Sequence, residues 1–284
     1  MSSLAAELEL AERLARNAGH LLMERYAGPP SGVERKSSRT DMVSDADRDA
    51  EWLIRELLSK ERPDDGLLGE EGSDAAGSSG RRWVVDPLDG TTNYLYRFPA
   101  WVVSVALEDG DGGLVGVVHD PLRDETFSAI RGAGARRDGE PIAVSGADRL
   151  DEALIGTGFA YDADRRAQQA ELIVDVLPRV RDIRRAGAAA LDLCMVACGR
   201  LDGYYERGLN AWDWAAGALI ASEAGATVRP LAGEPYGLVV ASPAIAGPLF
   251  DLVACSRRAR VGAGGVPLAR AAFRPGGRGL RAGG

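Results

Sequence analysis

The chain has 284 residues, with 34 basic and 42 acidic side chains and a formal net charge of −8. Residues 257–284 hold seven arginines and no acid, so residues 1–256 carry −15. An acidic body repels phosphate polymers and anionic lipid, which excludes a general nucleic-acid or membrane-surface binder. No run of about 18 apolar residues is present to span a bilayer.

Leu4, Leu8, Ala11, Leu14, Ala15, Ala18, Leu21 and Leu22 recur at helical spacing and predict an amphipathic helix over 3–26, closed by Gly28-Pro29-Pro30. Its acids interrupt any signal-peptide core, so a soluble cytoplasmic protein is expected. A second helix is predicted from Asp45 to Pro63, then a Gly/Ser-rich loop over 72–80 and a buried strand from Arg82 to Val85. Residues 101–107, 114–118 and 124–130 read as strands of an antiparallel meander. Beyond about residue 150 strands are predicted at 154–158, 203–206 and 237–242, and helices at 164–177, 187–199 and 211–225. Cys194 and Cys198, four apart in an apolar stretch, read as small buried hydrophobes; three cysteines make no disulfide framework. His20 and His119 receive no role. The expected organisation is an α+β half over 1–148, an α/β half over 149–256, and a disordered Arg/Gly-rich tail over 257–284.

The chemistry is concentrated in Gly69-Glu70-Glu71-Gly72 and Asp86-Pro87-Leu88-Asp89-Gly90-Thr91-Thr92-Asn93. A strand ending in two aspartates three apart can aim both carboxylates, and the carbonyl between them, at one point. Such hard oxygens suit Mg²⁺ or Mn²⁺. A helix opening after Gly90 would set N–H groups beside them for a phosphate. The same run also reads as a simple turn, since Asp, Pro, Gly and Asn are turn residues. Its Asp-x-x-Asp spacing differs from the Asp-x-Asp of aspartyl-phosphate phosphatases, which argues against a phospho-aspartate route. Asp213 in Asn210-Ala211-Trp212-Asp213 stands at a helix start, where it can cap, bind or do both. In Lys36-Ser37-Ser38 through Asp47, Asp45 or Asp47 can cap the following helix or orient a water.

These pieces, in this order, resemble the inositol monophosphatase family of metal-dependent, lithium-sensitive phosphatases. The resemblance continues through Phe98-Pro99, Val103-Ser104-Val105, Gly116-Val117-Val118, Gly132-Ala133-Gly134-Ala135 and Gly203-Tyr204-Tyr205-Glu206, and covers roughly residues 3–250. It implies the layered α/β/α/β/α sandwich of the sugar-phosphatase superfamily, commonly as a homodimer. It further implies two or three Mg²⁺ per subunit, with Mn²⁺ as a substitute. Glu70, Asp86 and the Leu88 carbonyl would hold the first ion; Asp86, Asp89 and Asp213 the second. Thr91, backed by Asp47, would position and help deprotonate the attacking water, with Glu70 near a third ion. The N–H groups of Gly90 and Thr91 would take the phosphate. Glu206, Asp89, Asp213 and the backbone at Gly187, Ala188 and Ala189 would face a polyol, and Arg185 would contact substrate or a subunit interface.

Like charges at one point raise one another's pKa, so four carboxylates there demand cations. Position 188 departs from the family's usual hydroxyl residue, leaving only a backbone donor. Glu206 favours vicinal hydroxyls, and Asp-Gly-Thr-Thr-Asn looks more like the inositol branch than the histidinol phosphate branch. The expected reaction is hydrolysis of myo-inositol 1-phosphate by a metal-activated water. The alternatives are a fructose-1,6-bisphosphatase, a histidinol-phosphatase or a broad-specificity sugar phosphatase. A further alternative is a non-catalytic regulator binding RNA polymerase or RNA, for which only the basic tail offers a suitable surface.

Overall fold

The computed structural model describes residues 4–36 and 41–255; Ser37, Ser38 and the arginine tail lie outside them. Helices α1 (Ala5–Tyr26) and α2 (Asp45–Glu61) are separated by a short hairpin of β1 (Glu34–Arg35) and β2 (Met42–Val43). Then come β3 (Gly66–Gly69), β4 (Asp74–Ala75), β5 (Arg82–Asp89), α3 (Thr91–Leu95), β6 (Val102–Asp109), β7 (Gly112–Asp120), β8 (Glu125–Ile130), β9 (Ala135–Arg137) and β10 (Glu140–Pro141). The rest is β11 (Leu154–Thr157), α4 (Ala163–Val176), β12 (Asp182–Arg184), α5 (Ala189–Ala197), β13 (Gly203–Arg207), α6 (Ala211–Glu223), β14 (Thr227–Leu231), β15 (Gly237–Ala241) and α7 (Pro243–Cys255).

Eight strands form one sheet in the order β10-β9-β8-β7-β6-β5-β3-β4, and five form another in the order β12-β11-β13-β15-β14. The expected meander is the antiparallel run from β5 to β10. The second sheet is mixed: β11 runs parallel to β12 and β13, while β15 is antiparallel to β13 and β14. Helices α1 and α2 cover one face of the large sheet, α5 and α6 fill the space between the sheets, and α7 covers the far face of the small one. This is the expected five-layer α/β/α/β/α arrangement. No described helix is long and apolar enough to cross a membrane.

Side-chain patterning follows from the layers. α1 buries Leu10, Leu14, Ala15, Ala18 and Leu22 on one face and is amphipathic because only one face meets the sheet. α6 and α5 are apolar nearly all round because a sheet lies on each side, and their many alanines permit close approach. β5, β6 and β7 read as continuous apolar runs, not alternating ones, because both faces of the large sheet are covered.

Several elements depart from the expectations, among them β5, α5 and α7. β5 continues through Asp89, with its pairing to β6 slipping between Asp86 and Asp89, so the predicted end at Asp86-Pro87 is a bulge inside a longer strand. α5 starts at Ala189, two residues late, because Gly187 has φ +91° and Ala188 is extended. α7 was not expected; Gly247 and Pro248 inside it read as breakers, yet the segment packs on β14 and β15.

The junction of α1, α3 and the start of β6 is aromatic. Tyr94 lies 5.1 Å from both Tyr26 and Trp101, ring centre to ring centre, and its hydroxyl donates to the Leu22 carbonyl at 2.9 Å. Trp101 is fully buried behind Gly90. Trp101→Ala should therefore lower the unfolding free energy by about 3–5 kcal/mol, read by urea denaturation.

Candidate active site

Three of the predicted acids sit on element ends that meet. Asp86 and Asp89 flank the β5 bulge, and Asp213 is in the first turn of α6. Glu70 follows β3, whose parallel pairing sets Gly69 beside Val85, one residue before Asp86. Glu70 stands within hydrogen-bonding reach of Asp86. On a regular strand residues three apart face opposite ways; the register slip between Asp86 and Asp89 accompanies two carboxylates close enough to repel each other.

Each aspartate is held by a backbone donor. Asp86 Oδ1 accepts from Leu88 N–H at 3.0 Å, Asp89 Oδ2 from Ala190 N–H at 2.7 Å, and Asp213 Oδ2 from Asn210 N–H at 2.6 Å. The Ala190 donor belongs to the start of α5, whose positive end faces the acid. Glu70 Oε1 accepts instead from Lys36 Nζ at 2.8 Å, and the same ammonium reaches Glu71 Oε1 at 2.5 Å. Burial draws the Lys36 pKa down, but its ion pairs with Glu70 and Glu71 win and raise it.

The electrostatics are those of uncompensated acid. Burial, then the charges of Glu70, Asp89 and Asp213, push Asp86 well above the carboxylate range. Burial lifts Asp89 to about 7 against its backbone donors, with Glu70 adding repulsion. Asp213 is pushed well up by burial, Glu70 and Asp89. The donor set thus fits a hard divalent cation in charge and atom type. Among the described residues no three His, Cys, Asp or Glu side chains are arranged around one ion position. Backbone amides and Lys36 occupy several of the oxygens that such an ion would need.

Thr91 and Asp47 form the second unit. Thr91 Oγ1 donates to Asp47 Oδ1 at 2.8 Å and lies 3.2 Å from the Leu88 carbonyl. Asp47 Oδ2 meanwhile accepts from Ser44 N–H at 2.9 Å and Ser44 Oγ at 2.5 Å, closing a capping box at the start of α2. Asp47 therefore both caps and contacts Thr91; Asp45 is on the surface, paired with Arg48. Burial raises the Asp47 pKa against these hydrogen bonds. Gly90, at φ +97°, makes the turn into α3, and a Cβ there would sit 2.8 Å from the Ala100 carbonyl.

A polar cavity of about 300 Å³ opens beside these groups. Asp89, Asp213, Glu206, Arg185, Gly187 and Ala189 line it. Ala188 does not; it is 1% exposed, packed in the core between the sheets. Glu206 accepts from the Tyr204 hydroxyl at 2.5 Å, and burial raises it to about 7, opposed by Tyr204 and Arg185. Arg185 is an exposed rim residue over the Phe159 ring, 5.9 Å from its centre. Leu88's side chain is buried in the core, so only its backbone faces this chemistry.

Several residues that shape the site carried no assigned role in the sequence. Glu51 is buried on α2 and accepts from Glu71 N–H at 2.7 Å and Ser73 N–H at 2.9 Å, fixing the turn that presents Glu70. Its signal was available: an acid on the apolar stripe Ala46, Ala50, Ile54, Leu58. Asn93 donates to the carbonyls of Ala100 and Ala186 at 2.6 and 2.8 Å, tying α3 to the segment before α5. Asp192 is buried on α5, raised by burial and then by Asp89 and Glu206. Cys194 is buried and Cys198 half-buried, as expected of small hydrophobes. His119 is buried against Thr126 Oγ1 at 2.9 Å, on the α1 side of the large sheet.

Comparison with known proteins agrees with this architecture. A profile of the inositol monophosphatase family matches residues 4–260. The inositol-1-monophosphatase SuhB of Mycobacterium tuberculosis is 46% identical over 262 residues, covering 87% of this chain and 90% of the relative. The Nus factor SuhB of Escherichia coli is 40% identical over 228 residues, covering 80% and 85%. Among solved structures, the extragenic suppressor protein suhB of Bartonella henselae superposes with a TM-score of 0.82 at 37% identity, covering 87% of this chain and 98% of that one. Mycobacterium tuberculosis SuhB superposes with a TM-score of 0.78 at 41% identity, covering 91% and 100%. The chain belongs to the inositol monophosphatase family.

Proposed function

We propose that the protein is a Mg²⁺-dependent phosphomonoesterase that hydrolyses myo-inositol 1-phosphate. The observation that carries this reading is one polar cavity lined by Asp89, Asp213 and Glu206, with Asp86, Glu70 and the Thr91–Asp47 pair beside it. Membership of the family supports a phosphatase. Glu70, Asp86, the Leu88 carbonyl, Asp89 and Asp213 would hold two or three Mg²⁺, and Mn²⁺ offers the same preference for oxygen donors. When bound, such ions supply Lewis-acid charge to the phosphate and the leaving oxygen.

The chain's own residues then divide the work. Thr91 Oγ1 gives its proton towards Asp47, which turns its lone pairs to an incoming water. Asp47, whose pKa is raised by burial, is a stronger proton acceptor than an exposed aspartate. The N–H groups of Gly90 and Thr91 receive the phosphate. Glu206 accepts from vicinal hydroxyls, and the backbone at Gly187 and Ala189 with Arg185 closes the polyol side. For Glu70 to join a cation, Lys36 must release it. A homodimer belongs to the same proposal; Tyr96 and Phe98, 75% and 52% exposed, supply apolar surface for it.

Two observations favour the regulatory reading, the name Nus factor carried by the Escherichia coli relative and the seven arginines of residues 257–284. The −15 of residues 1–256 weighs against a direct RNA surface on the body.

The decisive measurement is phosphate release from inositol 1-phosphate, fructose 1,6-bisphosphate and histidinol phosphate, with Mg²⁺ and with EDTA. Turnover should be highest on inositol 1-phosphate and vanish in EDTA; full turnover in EDTA would refute the metal mechanism. Asp213→Asn should cut kcat/KM by about a hundredfold or more. It should also raise the melting temperature of the EDTA-treated protein, because a buried repelled charge is gone. Thr91→Ala should lower kcat by a larger factor than it raises KM, since its proton relay acts in the transition state.

Stability should follow pH in a set direction. Asp86, Asp89 and Asp213 titrate higher folded than unfolded, so their contribution is complete below the usual carboxylate range and is lost as pH rises through their folded values, which for Asp89 is about 7. The melting temperature in EDTA should therefore fall between pH 5.5 and 8. Added Mg²⁺ should raise it more at pH 8 than at pH 5.5, as a ligand of the ionised acids must.

A further inference from the structure

β11 and β13 are parallel neighbours, with Gly156 beside Tyr204 and Thr157 beside Tyr205. Gly158 comes directly after β11, and Glu206 is the next residue of β13. Side chains alternate along a strand, so Gly156 and Gly158 share a face with Tyr204 and Glu206. On that face this stretch of β11 has no side chains.

The space they leave is filled. A Cβ at Gly158 would lie 1.9 Å from Glu206 Oε2 and 2.3 Å from its carboxyl carbon. A Cβ at Gly156 would lie 2.9 Å from Leu201 Cδ1 and 3.2 Å from Tyr204 Cδ2. Neither glycine is in the left-handed backbone region, so an L residue is conformationally allowed at both. Space, not backbone shape, is what glycine provides here. The two side chains that use the space are joined, because the buried Tyr204 donates its hydroxyl to Glu206 Oε2 at 2.5 Å. Gly158 and Glu206 both line the 300 Å³ cavity that also holds Asp89 and Asp213.

We propose that Gly158 is a positioning residue that sets substrate selectivity. Its bare backbone is the seat against which the Glu206 carboxylate, tied by Tyr204, rests facing the cavity and the hydroxyls of a polyol phosphate. The inference rests on Glu206 being the polyol contact of the proposed function. The 300 Å³ polar cavity that Glu206 already borders leaves room for a displaced carboxylate, and Gly158→Ala should fold.

The test pairs kinetics with a crystal structure of Gly158→Ala. On inositol 1-phosphate the variant should lose about tenfold or more in kcat/KM, chiefly through KM. On p-nitrophenyl phosphate, which has no polyol, the loss should stay below about threefold. Tyr204→Phe should move the same ratio by a smaller factor. Adding Gly158→Ala to Glu206→Ala should cost nothing further, because both changes remove one interaction. In the crystal the Glu206 carboxylate should stand clear of its wild-type position. An unmoved carboxylate, or equal losses on the two substrates, overturns the proposal. If the wild type itself shows no preference for a polyol phosphate, the proposed substrate fails instead. The crystal structure then still decides whether Gly158 seats Glu206.

Discussion

Carboxylates removed from water and set beside one another repel strongly, and this protein places Asp89, Asp213 and Glu206 around one cavity with Asp86 and Glu70 near enough to add their repulsion. The fold answers with oriented donors. The first turn of α5, the residue capping α6 and the β5 bulge each direct an N–H at one aspartate. Lys36 answers for Glu70 and Tyr204 for Glu206. Sheet, bulge and helix starts meet here because acids held this way need several fixed dipoles, and one element alone cannot aim them all.

The supports of the site come from distant parts of the chain, and this explains what the sequence disclosed. The acids on β5 are close in sequence, so their chemistry could be read from spacing. Asp213 and Asp47 could be recognised as helix-start residues, and each does cap its helix. The family resemblance gave the layered fold, which no periodicity alone would have given. The continuous apolar runs of β5 to β7 and the all-round apolar α5 and α6 were consistent with sandwiched layers, but did not say which layer lay where.

What stayed hidden depends on register. Gly158 and Glu206 are 48 positions apart and become neighbours only because β11 pairs with β13 in one alignment. Lys36 could not be matched to Glu70 without the fold. Ala188 looked like a substrate contact beside Gly187, yet the extended backbone before α5 turns it into the core. The edge strands β12 and β14 and the helix α7 were missed for a different reason. Their sequences carry charge, Pro or Gly, and it is tertiary packing that holds them.

The placement of α5 and α6 between the sheets has a consequence for synthesis. Val84, Val102 and Phe127 of the large sheet belong to the same core as α5 and α6. A ribosome delivers the large sheet, complete by residue 141, some eighty residues before the end of α6 at Glu223. At about 5–20 residues per second, the nascent chain spends several seconds with one apolar sheet face uncovered. During that interval the uncovered face is open to aggregation, and α6 is the segment whose emergence closes it.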